Sequence, residues 1–179
     1  MQHQELFVTD MLHLFSCNPT FPAMATEDTQ ASQHVPSARD MQFISFEGGQ
    51  IDVGATPTAP THQDDPWKTF SYDCERPRHT TFLQPYTLAS RLVTNREWLA
   101  FMDDGGYQSP LLWLSDGWAS CQKNEWSSPL YWHQRDGEWY QFTVHGLQAL
   151  ALDSPVCHVS YYEADAFARW AGRRLPSEQ

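Results

Sequence analysis

A histidine stands at the third position of the chain, at the start of a segment with helical periodicity. His3 shares a helix face with Phe7, Met11 and Leu14, which recur at intervals of four and three residues. A neutral imidazole is a common metal ligand, and a second ligand four residues earlier would lie on the same face. That position precedes Met1. By itself, one histidine on an apolar face favours packing in a core or interface over metal binding.

Two further polar residues of this segment lie on other sides of the helix. Glu5 is about 200° around the helix from His3, since consecutive residues are about 100° apart. Glu5 therefore cannot bind the same ion as His3 from this helix, and it is either a hydrogen-bond acceptor or a solvated charge. His13 lies about 280° around from His3, and we expect it to matter little for function.

Chemistry-bearing residues also occur near the other end of the chain. Cys157 and His158 are adjacent, so on an extended strand their side chains would face opposite sides, which favours structural roles over a catalytic pair. The tryptophans between Trp113 and Trp139 favour core packing over a ligand groove.

Composition excludes several classes of partner. The 179 residues carry a formal net charge of −11 and no run of basic residues, which argues against a nucleic-acid surface. No apolar stretch approaches the ~20 residues that a membrane span needs, and no secretory signal is apparent. The four cysteines include no CxxC pair. We therefore expect four reduced thiols in a cytoplasmic protein with no membrane or nucleic-acid partner.

The elements that must position these residues begin with a helix over 4–16. Residues 17–40 lack periodicity and are rich in Pro, Ser, Thr and Ala, which predicts a linker. The alternating segment FISFEGGQIDVGA predicts a hairpin that turns at Gly48-Gly49. The segment HTTFLQPYTLASRLV, from His79, predicts an extended strand with a proline at an edge or a bend.

Two later helices carry the same start signal. Thr94 and Glu97 form one capping box, Ser160 and Glu163 form another, and each precedes an apolar helical pattern. Between them, residues 107–129 are aromatic and turn-rich, with no regular element predicted. The segment LYWHQRDGEWYQFTV predicts a second hairpin, turning at Asp136-Gly137. Strands and helices without regular βαβ alternation predict an α+β fold.

Long strings of the chain resemble the ergothioneine-biosynthesis sulfoxide synthases of the EgtB type. Gln2-His3-Gln4-Glu5 is similar to the end of that family's HxxxHxE iron-binding helix. A larger part resembles its second domain, which is similar to the formylglycine-generating-enzyme (sulfatase-modifying-factor) domain, a variant of the C-type-lectin fold. The strings are YDCERPRHTTFLQPYTLASRLVTNREWLAFMDDGGYQSPLLWLSDGW, PLYWHQRDGEWYQFTVHG and PVCHVSYYEADAFARWAGRRLPSE.

The resemblance implies a domain organisation. Residues 1–16 would be the last helix of a DinB-like four-helix bundle, 17–40 a linker, and 41–179 the N-terminal part of the formylglycine-generating-enzyme-like domain. The chain would then be a fragment that is inactive alone.

The resemblance also implies a cofactor and substrates. In the family, three histidines hold a non-heme Fe(II), and only His3 matches one of them here. Gln2 matches a glutamine that faces the histidine-derived substrate. The implied reaction joins the sulfur of γ-glutamylcysteine or cysteine to hercynine with O2, giving a sulfoxide. The family's catalytic residues match no position of this chain and stay unknown.

Three alternatives remain open from the sequence. One is the related oxygenase that makes the ovothiol precursor, and another is a true formylglycine-generating enzyme. The third is a non-enzymatic lectin-like binding module, in which the first helix would be an interface element only.

Overall fold

The computed structural model describes residues 2–25, 37–56 and 70–178, and the chain divides into two compact units. The first comprises Met1–Asp40 and Leu92–Leu175, and the second comprises Met41–Arg91 and Pro176–Gln179. Helices and antiparallel strands are mixed along the chain, which confirms the predicted α+β class. The predicted linker over 17–40 falls partly outside the described residues, at 26–36, and the proposed domain boundaries stay a prediction.

The described residues of the second unit form four strands, which pair in twos. Strand β1 (Phe43–Phe46) pairs antiparallel with β4 (Tyr86–Ala89), and β2 (Gly49–Val53) pairs antiparallel with β3 (His79–Leu83). The predicted strand from His79 is confirmed, with its break between β3 and β4. The predicted hairpin at Gly48-Gly49 is wrong, because β1 and β2 do not pair with each other.

The two glycines at this break have different structural reasons. Gly48 has φ +73°, and a Cβ atom there would lie 2.3 Å from the carbonyl oxygen of Leu83. Phe46 pairs with Tyr86 and Gly49 pairs with Leu83, so the register continues on both sides of the break. Gly48 therefore admits the facing backbone, whereas Gly49, where a Cβ atom would meet nothing within 4 Å, supplies a φ of +107°. Neither glycine reverses the chain between β1 and β2.

Where the structure describes it, the first unit contains four α-helices, a short 3-10 helix (Pro110–Leu112) and a three-stranded sheet. The helices are α1 (Gln2–Ser16), α2 (Asn95–Asp103), α3 (Ser115–Lys123) and α4 (Tyr161–Trp170). The strands are β5 (Trp132–Arg135), β6 (Glu138–Thr143) and β7 (Gly146–Ala149), in the order β5-β6-β7. The predicted hairpin at Asp136-Gly137 is confirmed, since both turn residues have positive φ, as a two-residue turn of this kind requires.

Helix α3 was not predicted, and tertiary packing accounts for it. Its N-cap, Leu114, makes no side-chain capping bond, and Gly117 lies inside the helix, so local signals are weak. A Cβ atom at Gly117 would lie 2.6 Å from the side chain of Tyr162. The glycine therefore lets α3 pack directly against α4, and this contact outweighs its poor helix propensity.

The core of the first unit is aromatic. Phe167 stacks on Trp98 with ring centroids 5.0 Å apart and planes 6° apart, and Phe101 contacts both rings edge-on. Trp113 and Trp132 are also buried, which confirms that these tryptophans serve the core. Stacked and edge-to-face pairs contribute stability beyond their buried area.

One buried carboxylate joins the start of α4 to this core. Glu163 is only 5% exposed, and its Oε2 accepts a hydrogen bond from the Ser160 backbone N–H at 2.7 Å. Its Oε1 accepts from the Tyr107 hydroxyl, also at 2.7 Å. Burial and the neighbouring Glu163 charge raise the pKa of Tyr107 far above its usual range, so the phenol keeps the proton it donates.

Two further expectations concern cysteines and membranes. All four cysteines are free thiols, as predicted, and only Cys121 is buried. Within the described residues, no helix combines the length and apolar character needed to cross a bilayer.

Both predicted capping boxes are present, and they give the first test. The Ser160 hydroxyl accepts a hydrogen bond from the Glu163 backbone N–H at 3.2 Å. The Thr94 hydroxyl accepts one from the Glu97 backbone N–H at 3.4 Å. Ser160→Ala and Thr94→Ala should each lower the free energy of unfolding by about 1 kcal/mol, the usual loss of an N-cap. Urea denaturation followed by tryptophan fluorescence measures this.

Ser115→Ala is the matched control for these variants, because the N-cap of α3 is Leu114 and the Ser115 hydroxyl donates to the Asp116 carboxylate. Its effect should stay within about 0.5 kcal/mol. Unchanged unfolding midpoints in both capping variants would show that the boxes do not stabilise their helices.

Candidate functional site

Gln2 and His3 lie in the first turn of α1, and both are exposed. The apolar face that His3 shares is exposed too. Phe7 is 63% exposed and Leu14 is 69% exposed, whereas Met11 is partly buried. An exposed stripe of this kind on one helix marks a surface that packs against another element.

The other end of α1 contacts the sheet of its own unit. His13 Nδ1 and the Tyr131 hydroxyl form a hydrogen bond of 3.2 Å, and their ring centroids are 6.1 Å apart. His13 thus has a structural contact, while the expectation that it matters little for function stays a prediction. Angular position on the helix placed His13 about 80° to the side of the face that carries His3, and did not indicate what it contacts.

Tyr131 is the centre of this contact. It is 8% exposed and has φ 72°, a left-handed conformation that is uncommon for a bulky residue. Its ring meets the His158 ring edge-on at 4.8 Å, and His158 also has a positive φ of 61°. Two left-handed non-glycine residues in contact mark a locally strained region, and such regions cluster at functional sites. Sequence reasoning missed Tyr131 because no residue pattern encodes a positive φ at tyrosine.

The chain after α1 is also held on the sheet. The Phe21 ring lies 4.6 Å from the His133 ring and 5.7 Å from the Phe142 ring, with the Arg135 guanidinium 5.1 Å from its centroid. The backbone N–H groups of residues 24 and 25 both donate to the carbonyl oxygen of residue 144. The first residues of the predicted linker are thus ordered against β5, β6 and the turn that follows.

The expectation of a strand at Cys157 and His158 is wrong. Both residues lie in the irregular segment between β7 and α4, where His158 has a left-handed φ of 61°. The His158 side chain is the largest influence that lowers the pKa of Cys157, and the thiol in turn raises the pKa of His158.

The described residues supply one candidate ligand and no complete metal site. No group of three His, Cys, Asp or Glu side chains among residues 2–25, 37–56 and 70–178 is arranged to hold an ion. His13 cannot complete a site with His3, since ten residues of helix separate them by about 15 Å. Nothing tests the assignments of Gln2 and His3, which stay predictions.

Comparison with known proteins defines the class. Residues 28–179 match the family of sulfatase-modifying factor enzyme 1-like domains. Because the match covers most of the chain, the chain belongs to that family.

Its relatives include hercynine oxygenases. The one from Mycolicibacterium smegmatis is 41% identical over 75% of this chain, and the one from Mycobacterium tuberculosis is 40% identical over 60% of it. The chain spans only 29% and 25% of those two proteins. The formylglycine-generating enzyme of Streptomyces coelicolor is 30% identical over 86% of this chain and 51% of its own length. These relatives are enzymes. They confirm the resemblance of the chain to EgtB-type sulfoxide synthases and to the formylglycine-generating-enzyme domain.

The isolated chain should not hold Fe(II) tightly, because one imidazole cannot form a facial site that needs three ligands. Anaerobic calorimetric titration of Fe(II) into this chain should give no stoichiometric binding at micromolar concentrations. Micromolar stoichiometric binding that is lost in His3→Ala would show that the chain carries a complete iron site.

Proposed function

We propose that this chain is part of a non-heme Fe(II) sulfoxide synthase of ergothioneine biosynthesis. The observation that carries the proposal is a sequence identity of 39–41% to three proteins named hercynine oxygenase. Formylglycine-generating enzymes match at 26–30%. The reaction proposed joins the sulfur of γ-glutamylcysteine or cysteine to hercynine with O2, in the cytoplasm.

In this proposal His3 is one of three imidazole ligands of the iron. The described residues do not make an iron site by themselves, so the other two ligands must come from elsewhere in a longer protein. Neutral imidazoles suit Fe(II), and an iron with open positions is what activation of O2 by the assembled site would require. Gln2, next to His3, is proposed to face the histidine-derived substrate.

The exposed apolar side chains of α1 support the proposal that this helix packs against other helices. Phe7 and Leu14 continue the face of His3 along the helix and are largely exposed. In the proposed DinB-like bundle, covering these side chains against neighbouring helices would be favourable by about 25 cal/mol for each Å² buried. The same packing would place His3 inside the bundle, where an imidazole ligand must lie.

A formylglycine-generating enzyme is the second candidate. It is supported by relatives of that name that cover more of this chain, 86% and 87%, than the hercynine oxygenases do. The two candidates share the family domain and differ in α1, for which only the first provides a role.

The assay for the proposal uses the longer protein expressed from the source DNA, supplied with Fe(II), hercynine and γ-glutamylcysteine or cysteine. His3→Ala should lower sulfoxide formation by more than about 100-fold, because changes to groups that merely support metal ligands already cost about 10- to 100-fold. Circular dichroism should show the helices retained, since Phe7, Met11 and Leu14 remain.

His145→Ala is the matched control. This exposed histidine lies in the turn between β6 and β7, with Nδ1 3.3 Å from the Ala25 carbonyl oxygen, and has no proposed role in the reaction. A folded His3→Ala protein that works at the parent rate contradicts the ligand assignment. Oxidation of a peptide cysteine to formylglycine, with no sulfoxide made from hercynine, would favour the second candidate.

A further inference from the structure

Residues 18–25, here called the strap, follow α1 and cross one face of the three-stranded sheet. The Phe21 ring meets the His133 ring of β5 edge-on, with ring centroids 4.6 Å apart, and lies 5.7 Å from the Phe142 ring of β6. A Cβ atom at Gly146, the first residue of β7, would lie 3.2 Å from the Phe21 carbonyl oxygen. The strap therefore contacts all three strands.

Backbone hydrogen bonds hold both ends of the strap. The Phe21 N–H donates to the Asn18 carbonyl oxygen at 2.9 Å, which closes a turn at the first end. At the other end, the N–H groups of residues 24 and 25 both donate to the Val144 carbonyl oxygen, at 2.8 Å and 3.0 Å. Phe21 itself has φ 47°, a left-handed conformation that is uncommon for a bulky residue. The closed strap thus stores backbone strain that opening would relieve.

The His133 imidazole lies against the strap with one nitrogen unpartnered. Its Nε2 is shielded from solvent and makes no hydrogen bond among the described residues. A neutral imidazole leaves one nitrogen as an unprotonated acceptor, whereas an imidazolium carries an N–H on both nitrogens. Protonation with the strap closed would therefore bury a charged N–H donor that has no acceptor, which is costly away from water. The closed strap favours the neutral ring.

Charged and titratable groups near His133 lie on both strands of its hairpin. Arg135 is on the same face of β5, with its guanidinium 5.1 Å from the Phe21 ring centroid. From β6, Tyr140 is paired directly opposite His133, and Glu138 is paired opposite Arg135. Burial, followed by the Arg135 charge, lowers the pKa of His133. Both causes oppose a positive charge on the ring.

Neighbouring elements bring two further histidines, each with a partner of its own. His145 Nδ1 lies 3.3 Å from the Ala25 carbonyl oxygen, at the far end of the strap. His13, in the last turn of α1, hydrogen-bonds the Tyr131 hydroxyl at 3.2 Å. The strap sequence NPTFPAMA contains no titratable side chain. His133 is therefore the titratable group that the Phe21 ring packs on.

We propose that the strap is pH-sensitive: it stays closed on the sheet while His133 is neutral, and it opens when His133 takes up a proton. Burial of the Phe21 and Phe142 rings favours the closed form. Uptake of a proton at His133 opposes it, because water can solvate the imidazolium only when the strap is open. This inference does not depend on the oxygenase proposal.

The direction of the pH dependence follows from the two states of His133. With the strap open, the solvated imidazole has a pKa of about 6.5, and with the strap closed its pKa is lower. The stability of the closed form is therefore fully present above about pH 7 and is lost as the pH falls below about 6.5. Uptake of a single proton limits the change in the opening equilibrium to about tenfold between about pH 7.5 and about pH 5.5.

Amide hydrogen exchange of the unsubstituted chain, followed by two-dimensional NMR, measures the opening. The amides of residues 24 and 25 report on the strap, since both donate to the Val144 carbonyl oxygen. Their rates are divided by the intrinsic exchange rate at each pH to give protection factors. These should fall by about three- to tenfold from about pH 7.5 to about pH 5.5. Tryptophan fluorescence and circular dichroism should stay unchanged, which separates opening of the strap from unfolding of the core.

Three variants assign the effect to its residues. His133→Phe keeps an aromatic ring against Phe21 and cannot be protonated, so the protection of the strap amides should be the same at both pH values. Phe21→Ala removes the ring that packs on His133 and should lower the protection at both pH values. His145→Ala is the matched control, because its imidazole contacts the same segment but not His133. The pH dependence should persist in this variant.

Any of three results overturns the proposal. One is protection of residues 24 and 25 that does not change with pH in the unsubstituted chain, a comparison that needs no variant to fold. Another is a folded His133→Phe chain that keeps the full pH dependence. The third is a folded His145→Ala chain that loses it, which would place the titrating group in the turn between β6 and β7.

Discussion

The buried carboxylate of Glu163 is the constraint on which the first unit depends. A charge removed from water must be matched by donors, and Glu163 finds them in the Ser160 backbone and the Tyr107 hydroxyl. These bonds fix where α4 starts relative to the aromatic core. Once α4 is fixed, Phe167 stacks on Trp98, and Tyr162 lies where α3 can approach it only through a glycine. The segment that carries Cys157 and His158 ends at the same cap.

Sequence patterns predicted the features whose causes are local. A capping box needs two residues three positions apart, and a two-residue hairpin turn needs Asp-Gly, so Ser160 with Glu163 and Asp136-Gly137 were recognisable in the sequence. Features with distant causes were missed or misread. Helix α3 packs on Tyr162, some 45 residues after Gly117 in the chain. A glycine is needed at position 48 because the carbonyl oxygen of Leu83 leaves no room for a Cβ atom.

The candidate site shows the same division. His3 stood out through its helix face and a family resemblance, and its exposure on α1 is compatible with both. The contacts among His13, Tyr131 and His158 depend on the positive φ values of Tyr131 and His158. A tyrosine or histidine in the sequence does not by itself predict a positive φ. They join the end of α1 to the family domain within one unit. The family match establishes the domain. The matched hercynine oxygenases are about four times as long as the segment that aligns with this chain, so the reaction itself stays a proposal.

Diffraction from crystals of the longer protein soaked anaerobically with Fe(II), recorded on both sides of the iron absorption edge, tests the ligand role of His3 most directly. It should show an anomalous peak within bonding distance of a His3 imidazole nitrogen, with two further imidazoles around it. A peak bound by other side chains, with His3 turned away from the iron, would contradict the proposed site.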